Sequence, residues 1–273
     1  MDKVVIIGLG EIGSALYSFF RSSGKFEVYG YDIDPQKSVN KLNEIPKDVE
    51  FLHVAIPYFD RFVDIVQYYV STLNPQHIVI HSTVAPGTTR KVFEKTGIPT
   101  AYSPVRGKHP NILKHLYLWT KWIASLPQKL LSNFALHHIL AGFNVREYPG
   151  DPESLELAKL WETVYRAIMI ASWHEIHRIA MRFNADITVI AGFVGEVHKV
   201  LHDRPIYYPD YIGGHCLIPN TVILNSVAPS KLFEFVLESN EKRLNEIKDV
   251  RTYSDIERMK QIAQEYTNKE YYI

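Results

Sequence analysis

The sequence has a single cysteine, Cys216, no excess of either charge and no long apolar run. One cysteine cannot form an internal disulfide, and a free thiol persists in a reducing compartment. Thirty basic residues balance thirty acidic ones, which gives no electrostatic support for binding nucleic acid or an anionic membrane. No run approaches the roughly 20 apolar residues of a membrane span, and no charged leader precedes an apolar signal core. We expect a soluble cytoplasmic protein that acts on a small-molecule substrate.

A G-x-G-x-x-G pattern occupies Gly8 to Gly13, directly after a buried-strand run at Val4–Ile7. A helical segment follows, so the glycines can provide a tight turn, close approach of a pyrophosphate and close helix packing. A second strand, Glu27–Tyr31, leads to Asp32, whose carboxylate would accept hydrogen bonds from a ribose 2′-hydroxyl and repel a 2′-phosphate. The pattern predicts NAD rather than NADP as the cofactor. A Rossmann-like domain that binds S-adenosylmethionine, or nothing, is the alternative.

Strands and helices continue to alternate after Asp32, as a doubly wound parallel sheet requires. Further strands are predicted at 51–57, 77–81, 99–103, 121–125 and 145–148, with helices at 62–73 and 128–141. We therefore predict an α/β fold, in which an N-terminal Rossmann domain with a doubly wound parallel sheet spans residues 1–150. A mostly helical domain with one long helix follows at 151–273.

The long helix has a strong start signal, because Asp151 is a suitable N-cap and Pro152 suits the first helical position. No glycine or proline interrupts the chain until Gly192, although a break is expected at 184–186. The helix is apolar almost all round between Val164 and Trp173, and a small domain cannot easily cover such a surface alone. We predict a homodimer that forms through the helix at 152–183. Further helices are expected at 187–202, from Thr221 onward, at 231–247 and at 253–266, the last capped by Ser254.

The lone cysteine lies in the segment Tyr211–Asn220, beside His215 and after two glycines that allow close approach of a ligand. A single cysteine is more often a small buried apolar residue than a nucleophile. The segment alone leaves both interpretations open.

Four patches of the chain resemble, in their order, the motifs of the nucleotide-sugar dehydrogenases, the UDP-glucose and GDP-mannose 6-dehydrogenase family. They are Gly8–Gly13 with Asp32, His81–Thr89, Glu156–Lys159 continuing to Tyr165–Ala167 and His174–Glu175, and Gly213–Pro219. The resemblance covers roughly the first 225 residues, and the last patch is far more specific than a Rossmann fingerprint.

The resemblance implies roles for individual residues. Cys216 would be the nucleophile that captures an aldehyde as a thiohemiacetal, Lys159 would steady negative charge on the substrate oxygen, and Thr83 would help to hold water or that oxygen. Thr163 and Asn220 occupy two further positions of the catalytic set. The cofactor-binding residues are predicted to be Gly8, Gly10, Glu11, Ile12, Gly13, Asp32, Pro57, Ser82 and Thr83.

The chain also departs from the family pattern. Val105 stands where the family has a glutamate, Thr163 where it has an asparagine and Asn220 where it has an aspartate. Two carboxylates of the family's site are therefore absent. Fewer than fifty residues follow Asn225, so we expect a truncated form that lacks the C-terminal nucleotide-binding domain.

Three hypotheses follow from these matches and departures. The first is an NAD-dependent dehydrogenase that oxidises an alcohol or aldehyde through Cys216, with a sugar derivative or something smaller as substrate. The second is a two-electron hydroxyacid-type dehydrogenase in which Lys159 is the acid/base and Cys216 is inert. The third is a non-catalytic NAD-binding relative. We predict no metal site, because the helical pairs His174/His177 and His198/His202 lack a third ligand at metal-binding spacing.

Overall fold

The structure, a computed structural model, describes residues 1–266. None of the helices in that range is long and apolar enough to span a membrane. The chain divides into two compact units, Met1–Lys159 and Leu160–Ile273, whereas the sequence suggested domains 1–150 and 151–273. The division falls inside the long helix because Leu155 and Glu156 pack with the first unit. The final residues of the predicted second domain, 267–273, lie outside the described range.

The first unit is built on one seven-stranded sheet. Its strands are β1 (Asp2–Ile7), β2 (Phe26–Tyr31), β3 (Phe51–Val54), β4 (His77–Ile80), β5 (Thr100–Tyr102), β6 (Lys121–Leu126) and β7 (Val145–Glu147), in the order β2-β1-β3-β4-β5-β6-β7. The predicted doubly wound α/β sheet is confirmed, with one exception: β5 and β6 are antiparallel. The apolar pattern of a strand has the same period in either direction, so it cannot reveal this reversal.

Helices cover both faces of the sheet. On one face, α1 (Glu11–Ser22), α4 (Ile112–Leu118) and α5 (Leu131–Ala141) pack over an aromatic core; on the other lie α2 (Phe62–Leu73) and α3 (Thr88–Thr96). Neither α3 nor α4 was predicted. Helix α3 buries only Thr88, Thr89 and Val92, and such a short, polar face has no apolar stripe for sequence analysis to detect.

The second unit is helical, as predicted. It contains most of α6 (Pro152–Arg182), followed by α7 (Ile187–Leu201), α8 (Leu217–Val227), α9 (Lys231–Glu246) and α10 (Val250–Glu265). Two predicted boundaries are wrong. Helix α8 begins at Leu217 rather than Thr221, because Pro219 stands in the first turn, where a missing N–H is tolerated. Helix α10 is capped by Asp249, which accepts a hydrogen bond from Thr252 N, and not by Ser254.

The strand order places the switch point of the sheet between β1 and β3. Ligands of open α/β sheets bind in the crevice at the carboxyl ends of the strands at this point. The chain leaves β1 at Gly8 and β3 at Ala55. The glycine turn therefore lies where the fold is suited to a ligand.

Candidate functional site

The glycine turn after β1 has little room for side chains at two of its three glycines. Gly8 has a φ of +86°, and a Cβ there would lie 2.8 Å from the carbonyl oxygen of Ala55. A Cβ on Gly13 would lie 1.7 Å from the carbonyl oxygen of Gly8, whereas one on Gly10 would meet no atom within 4 Å. Gly8 and Gly13 thus allow α1 to pack on the turn, and Gly10 leaves open space at the start of α1. A helix N-terminus with open space in front of it suits a phosphate group.

Asp32 follows β2 and is held by the same turn. Its Oδ2 accepts a hydrogen bond of 2.6 Å from Leu9 N, and its Oδ1 accepts one of 2.8 Å from Asp34 N. Two backbone amides therefore fix the carboxylate, while each oxygen keeps a lone pair for another donor. Asp32 also lines a cavity of 770 Å³ together with Ile33 and Tyr68. The polar group and the cavity beside it match the needs of a nucleoside, whose ribose is polar and whose base is flat.

The other predicted cofactor residues lie around the turn with different exposures. Ser82 is buried, and its hydroxyl donates a 2.6 Å hydrogen bond to the carbonyl oxygen of Ile56. Thr83 and Ile12 are half-buried, and Pro57 is exposed.

Glu11 is exposed at the start of α1, and its Oε1 lies 3.2 Å from His109 Nδ1. The N-terminal turn of α1 thus carries a carboxylate that already has a cationic neighbour when His109 is protonated. Glu11 therefore lies on the exposed side of the predicted cofactor site, whereas the glycines form the turn itself.

Glu156 is fully buried and anchors the segment that follows β4. Its carboxylate accepts hydrogen bonds from Gly87 N (2.6 Å), Thr89 N (2.8 Å) and Thr89 Oγ1 (2.6 Å). The two amides belong to the N-terminal turn of α3, where a carboxylate is favoured by the helix dipole. Glu156 therefore fixes the loop that begins with Ser82 and Thr83. Glu156 belongs to one of the four family-like patches, but no role was predicted for it from the sequence.

Two lysines of the first unit are electrostatically coupled. Lys159, the predicted oxyanion partner, is half-buried on α6, and Lys121 is buried at the start of β6. Burial and then the charges of Lys159 and Arg106 hold the pKa of Lys121 well below its usual value. Since β6 is antiparallel to β5, Lys121 lies at the edge where β1 to β5 end. Of these two lysines, only Lys159 was predicted from the sequence.

Cys216 of the second unit is exposed, and its thiol is free. It is the N-cap residue of α8, after Gly214, which has a φ of +81°. The interpretation of this cysteine as a small buried apolar residue is wrong. An accessible thiol at a helix N-terminus is available for reaction with an electrophile.

Thr163 and Asn220, predicted together, do meet within the second unit. Asn220 Nδ2 donates a 2.8 Å hydrogen bond to Thr163 Oγ1, and Thr163 Oγ1 donates one of 2.9 Å to the carbonyl oxygen of Leu160. Both side chains are buried. The pair connects α6 with the first turn of α8, the turn that Cys216 caps.

Val105 is only 4% exposed and belongs to the apolar core of the first unit. A glutamate in this environment would need a buried partner for its charge. The departure from the family pattern at this position therefore agrees with its apolar surroundings.

The first unit contains a buried group of four histidines that was not predicted from the sequence: His53, His81, His137 and His138. The signal was present, because His53 and His81 interrupt or end apolar strands and His137-His138 is a polar pair in an apolar helix. The histidines considered from the sequence lie elsewhere: His174 Nε2 contacts the carbonyl oxygen of Asp210 at 2.7 Å.

Part of the chain matches a known protein family. Residues 153–246 match the family model described as the UDP-glucose/GDP-mannose dehydrogenase family, central domain. A UDP-N-acetyl-D-mannosamine dehydrogenase of Methanocaldococcus jannaschii is 23% identical over 88% of this chain and 65% of its own length. A UDP-glucose 6-dehydrogenase of Campylobacter jejuni is 24% identical over 88% of this chain and 72% of its own. Residues 153–246 of the chain are thus similar to the central domain of this family, and the chain spans about two thirds of the length of these relatives.

Solved structures share the fold. The UDP-D-ManNAc dehydrogenase of Pyrococcus horikoshii superposes with a TM-score of 0.75 at 20% identity, covering 88% of this chain and 68% of that one. A 3-hydroxyisobutyrate dehydrogenase of Mycobacterium tuberculosis superposes with a TM-score of 0.64 at 13% identity, covering 95% and 99% of the two chains. At these identities the likeness concerns the fold alone.

Proposed function

We propose that the chain is an NAD-dependent dehydrogenase that oxidises an alcohol or aldehyde group of a sugar derivative or of a smaller molecule. The observation that carries this proposal is the coupling of the glycine turn to Asp32 through the hydrogen bond from Leu9 N. The family supports it as well, since the relatives reported above are named dehydrogenases.

The residues of the turn fit the parts of NAD. The pyrophosphate would lie at the start of α1, over Gly10, where no side chain intrudes. Asp32 would accept hydrogen bonds from the adenosine ribose and would repel the 2′-phosphate of NADP. The 770 Å³ cavity beside Asp32 offers apolar and aromatic side chains, among them Tyr68, to the adenine. NAD, when bound, supplies the acceptor for the hydride.

The protein's own side chains would act on the substrate. The Cys216 thiolate adds to an aldehyde carbonyl carbon, and the oxygen takes up the negative charge that Lys159 would stabilise. Oxidation of this thiohemiacetal gives a thioester, and water then releases the carboxylic acid and restores the thiol. Thr83 would hold the water or the substrate oxygen. Thr163 and Asn220 would position Cys216 through the hydrogen bond that fixes the start of α8.

The departures from the family favour a neutral site around this chemistry. Val105 lies in an apolar core and Asn220 pairs with Thr163, so neither position provides a carboxylate to activate water. We therefore expect slow hydrolysis of the thioester, with accumulation of acyl-enzyme, when an aldehyde and NAD are supplied.

NADH formation tests the proposal directly. The chain would be incubated with NAD and with UDP-N-acetylmannosamine, UDP-glucose, the free sugars and short hydroxy acids, and absorbance of NADH would be followed. Cys216→Ala should abolish turnover, by at least about 100-fold in kcat, because the covalent step is lost. Ser226→Ala, a conservative change on the same helix α8, serves as the matched control. A fully active Cys216→Ala variant would falsify the nucleophile role.

Calorimetry separates cofactor binding from catalysis. Asp32→Ala should weaken NAD about 10- to 100-fold, the usual loss for hydrogen bonds to a charged group, and should reduce discrimination against NADP. Absence of NAD binding to the wild-type chain would exclude both enzymatic hypotheses and the non-catalytic NAD-binding relative together.

A two-electron hydroxyacid-type dehydrogenase is the second candidate. This candidate rests on the shared fold alone, since the mycobacterial 3-hydroxyisobutyrate dehydrogenase superposes over 95% of this chain and 99% of its own. In this reaction Lys159 is the acid/base for the substrate hydroxyl and Cys216 is inert. Loss of activity in Lys159→Ala, with activity kept in Cys216→Ala, selects this candidate.

We further propose that the chain forms a homodimer through residues 152–183. Helix α6 exposes Trp161 and Tyr165, which are 45% and 51% accessible and stack with ring centroids 5.8 Å apart. Exposed aromatic side chains of this size are typical of protein interfaces.

A further inference from the structure

The buried histidine group has a geometry that its hydrogen bonds alone do not explain. Ring nitrogens of His53, His81 and His138 all lie within 4.8 Å of one another. The three side chains come from β3, the end of β4 and α5, and none is more than 1% exposed. His138 Nε2 is buried and has no hydrogen-bond partner among the described residues. A buried, unpartnered nitrogen beside two other imidazoles indicates a ligand between them.

Hydrogen bonds to backbone carbonyl oxygens determine which nitrogen is protonated in His81 and His138. His138 Nδ1 lies 2.8 Å from the carbonyl oxygen of Phe134, and His81 Nδ1 lies 2.7 Å from that of Ser103. A carbonyl oxygen only accepts, so His138 Nδ1 carries the proton and its Nε2 presents a lone pair. The same holds for His81 when Lys121 Nζ, 3.0 Å from His81 Nδ1, directs its own protons to the carbonyl oxygens of Ser103 and Pro104. Histidines that bind metals are commonly oriented in this way by a backbone carbonyl on the second nitrogen.

His53 completes the arrangement between these two rings. Its Nδ1 lies 2.8 Å from His81 Nε2, and its Nε2 lies 2.9 Å from His137 Nε2. With the proton on Nε2, His53 donates to His137 and its Nδ1 lone pair faces the same space as His81 Nε2. Each of the three rings then donates one N–H hydrogen bond and has a second nitrogen whose lone pair can bind a metal ion.

We propose that His53, His81 and His138 bind one first-row transition-metal ion of the zinc class. Three imidazoles without thiolate or carboxylate suit zinc, cobalt, nickel or copper better than calcium or magnesium, which prefer oxygen. The ion is structural, since the cluster is sealed in the core of the first unit, and it ties β3 and β4 of the sheet to α5.

The rings need only small movements to reach bonding distance. Zinc–nitrogen bonds of about 2.0 to 2.1 Å in a tetrahedron put the nitrogens about 3.4 Å apart. The widest pair must close from at most 4.8 Å, and the closest pair must open from 2.8 Å. Rotation of the side-chain torsions by a few tens of degrees covers such distances.

Lys121 also contacts the histidine group, since its Nζ lies 3.0 Å from His81 Nδ1. Its ammonium donates to the carbonyl oxygens of Ser103 and Pro104, so those carbonyl dipoles offset its field. It approaches His81 from the Nδ1 side, while the proposed ion lies on the Nε2 side. The two charges are therefore separated by the imidazole ring.

The test measures zinc itself. Because the site is buried, the protein would be unfolded in denaturant, stripped with a chelator and refolded with or without one equivalent of Zn²⁺. Bound zinc after dialysis would be determined by mass spectrometry, together with the thermal midpoint. The wild-type chain should retain one zinc ion and should show a higher midpoint with zinc than without.

Two ligand variants and one control give the assignment. His138→Phe keeps a ring beside Phe20 and Phe143 and removes both nitrogens, and His138→Gln is a second choice should the first not refold. Either change should weaken zinc binding at least about 100-fold. The double variant His198→Gln/His202→Gln removes a surface pair at helical spacing and should keep the ion.

Each other outcome overturns the proposal. Zinc that is lost in the double variant but kept in the His138 variants is bound adventitiously at the surface. A wild-type chain that refolds without retaining zinc has no such site. Cobalt gives an independent answer: refolding with Co²⁺ should produce the intense visible absorption of a four-coordinate ion, and the weak spectrum of the six-coordinate aqua ion would refute the site.

Discussion

Acidification should destabilise the first unit through its buried histidines. Burial and the neighbouring positive charges hold the pKa values of His53, His81 and His137 well below 6.5 and lower that of His138 to about 3. All four are therefore neutral in the fold at neutral pH. In the unfolded chain each would titrate near its ordinary pKa of about 6.5.

The sign and the size follow from proton linkage. Below pH 6.5 the unfolded chain binds more protons than the folded one, so the free energy of unfolding falls as the pH falls. Between pH 7.5 and 5.5 each histidine with a strongly lowered pKa contributes a loss of about 1.4 kcal/mol, and four together contribute about 5.5 kcal/mol. The lowered pKa of Lys121 acts in the same direction. Such a loss is a large part of the stability of an ordinary domain.

Urea unfolding at half-unit pH intervals, followed by circular dichroism with a chelator present, measures this loss. His137→Phe should reduce the pH dependence by about 1.4 kcal/mol, since one titrating group is removed. Phenylalanine fits the site because the His137 ring stacks on Phe51 at 3.6 Å. The exposed His202→Gln is the control and should leave the dependence unchanged. Stability that stays constant or rises from pH 7.5 to 5.5 contradicts the reasoning.

Three other predictions test the turn, the anchor and the interface. Gly13→Ala, which places a Cβ 1.7 Å from the carbonyl oxygen of Gly8, should cost about 3 kcal/mol or more in urea unfolding and abolish NAD binding, while Gly10→Ala should fold normally. Glu156→Ala leaves three donors unpaired, two of them buried. It should cost about 3 kcal/mol, with Glu156→Gln intermediate, and equal stability of all three proteins would refute the role of Glu156 as an anchor. Trp161→Arg should convert the dimer to a monomer in analytical ultracentrifugation, and a wild-type monomer would remove that proposal.

The parts that sequence analysis predicted well are those in which a local pattern determines the structure. The turn at Gly8 requires a positive φ, and Gly13 lies against the backbone of the turn, so only glycine fits either position. The long helix was also found, from Pro152 to within a residue or so of its end at Arg182, because its cap and its uninterrupted apolar content are local signals.

The parts that it missed depend on contacts between distant residues. The histidine group joins His53, His81 and His138 across more than eighty residues of sequence, and each one alone resembles an isolated polar residue in an apolar element. The buried Lys121 became visible only with the reversal of β6, which brings its ammonium to the edge where the other strands end. Tertiary structure, not local pattern, decides such positions.

The departures from the family pattern form a consistent set once their surroundings are known. Asn220 donates to the Thr163 hydroxyl, which in turn donates to the carbonyl oxygen of Leu160. The pair is neutral, buried and complementary, and Val105 is apolar within an apolar core. Random loss of function would be expected to leave unpaired buried groups at these positions, because nothing would maintain the partner of a lost charge. Thr163 and Asn220 instead make a contact that fixes the start of α8, where Cys216 stands, and they do so without a negative charge. This combination favours a protein in which Cys216 is positioned to capture an aldehyde. The substrate, or the hydrolysis of the thioester, would then differ from that of the family.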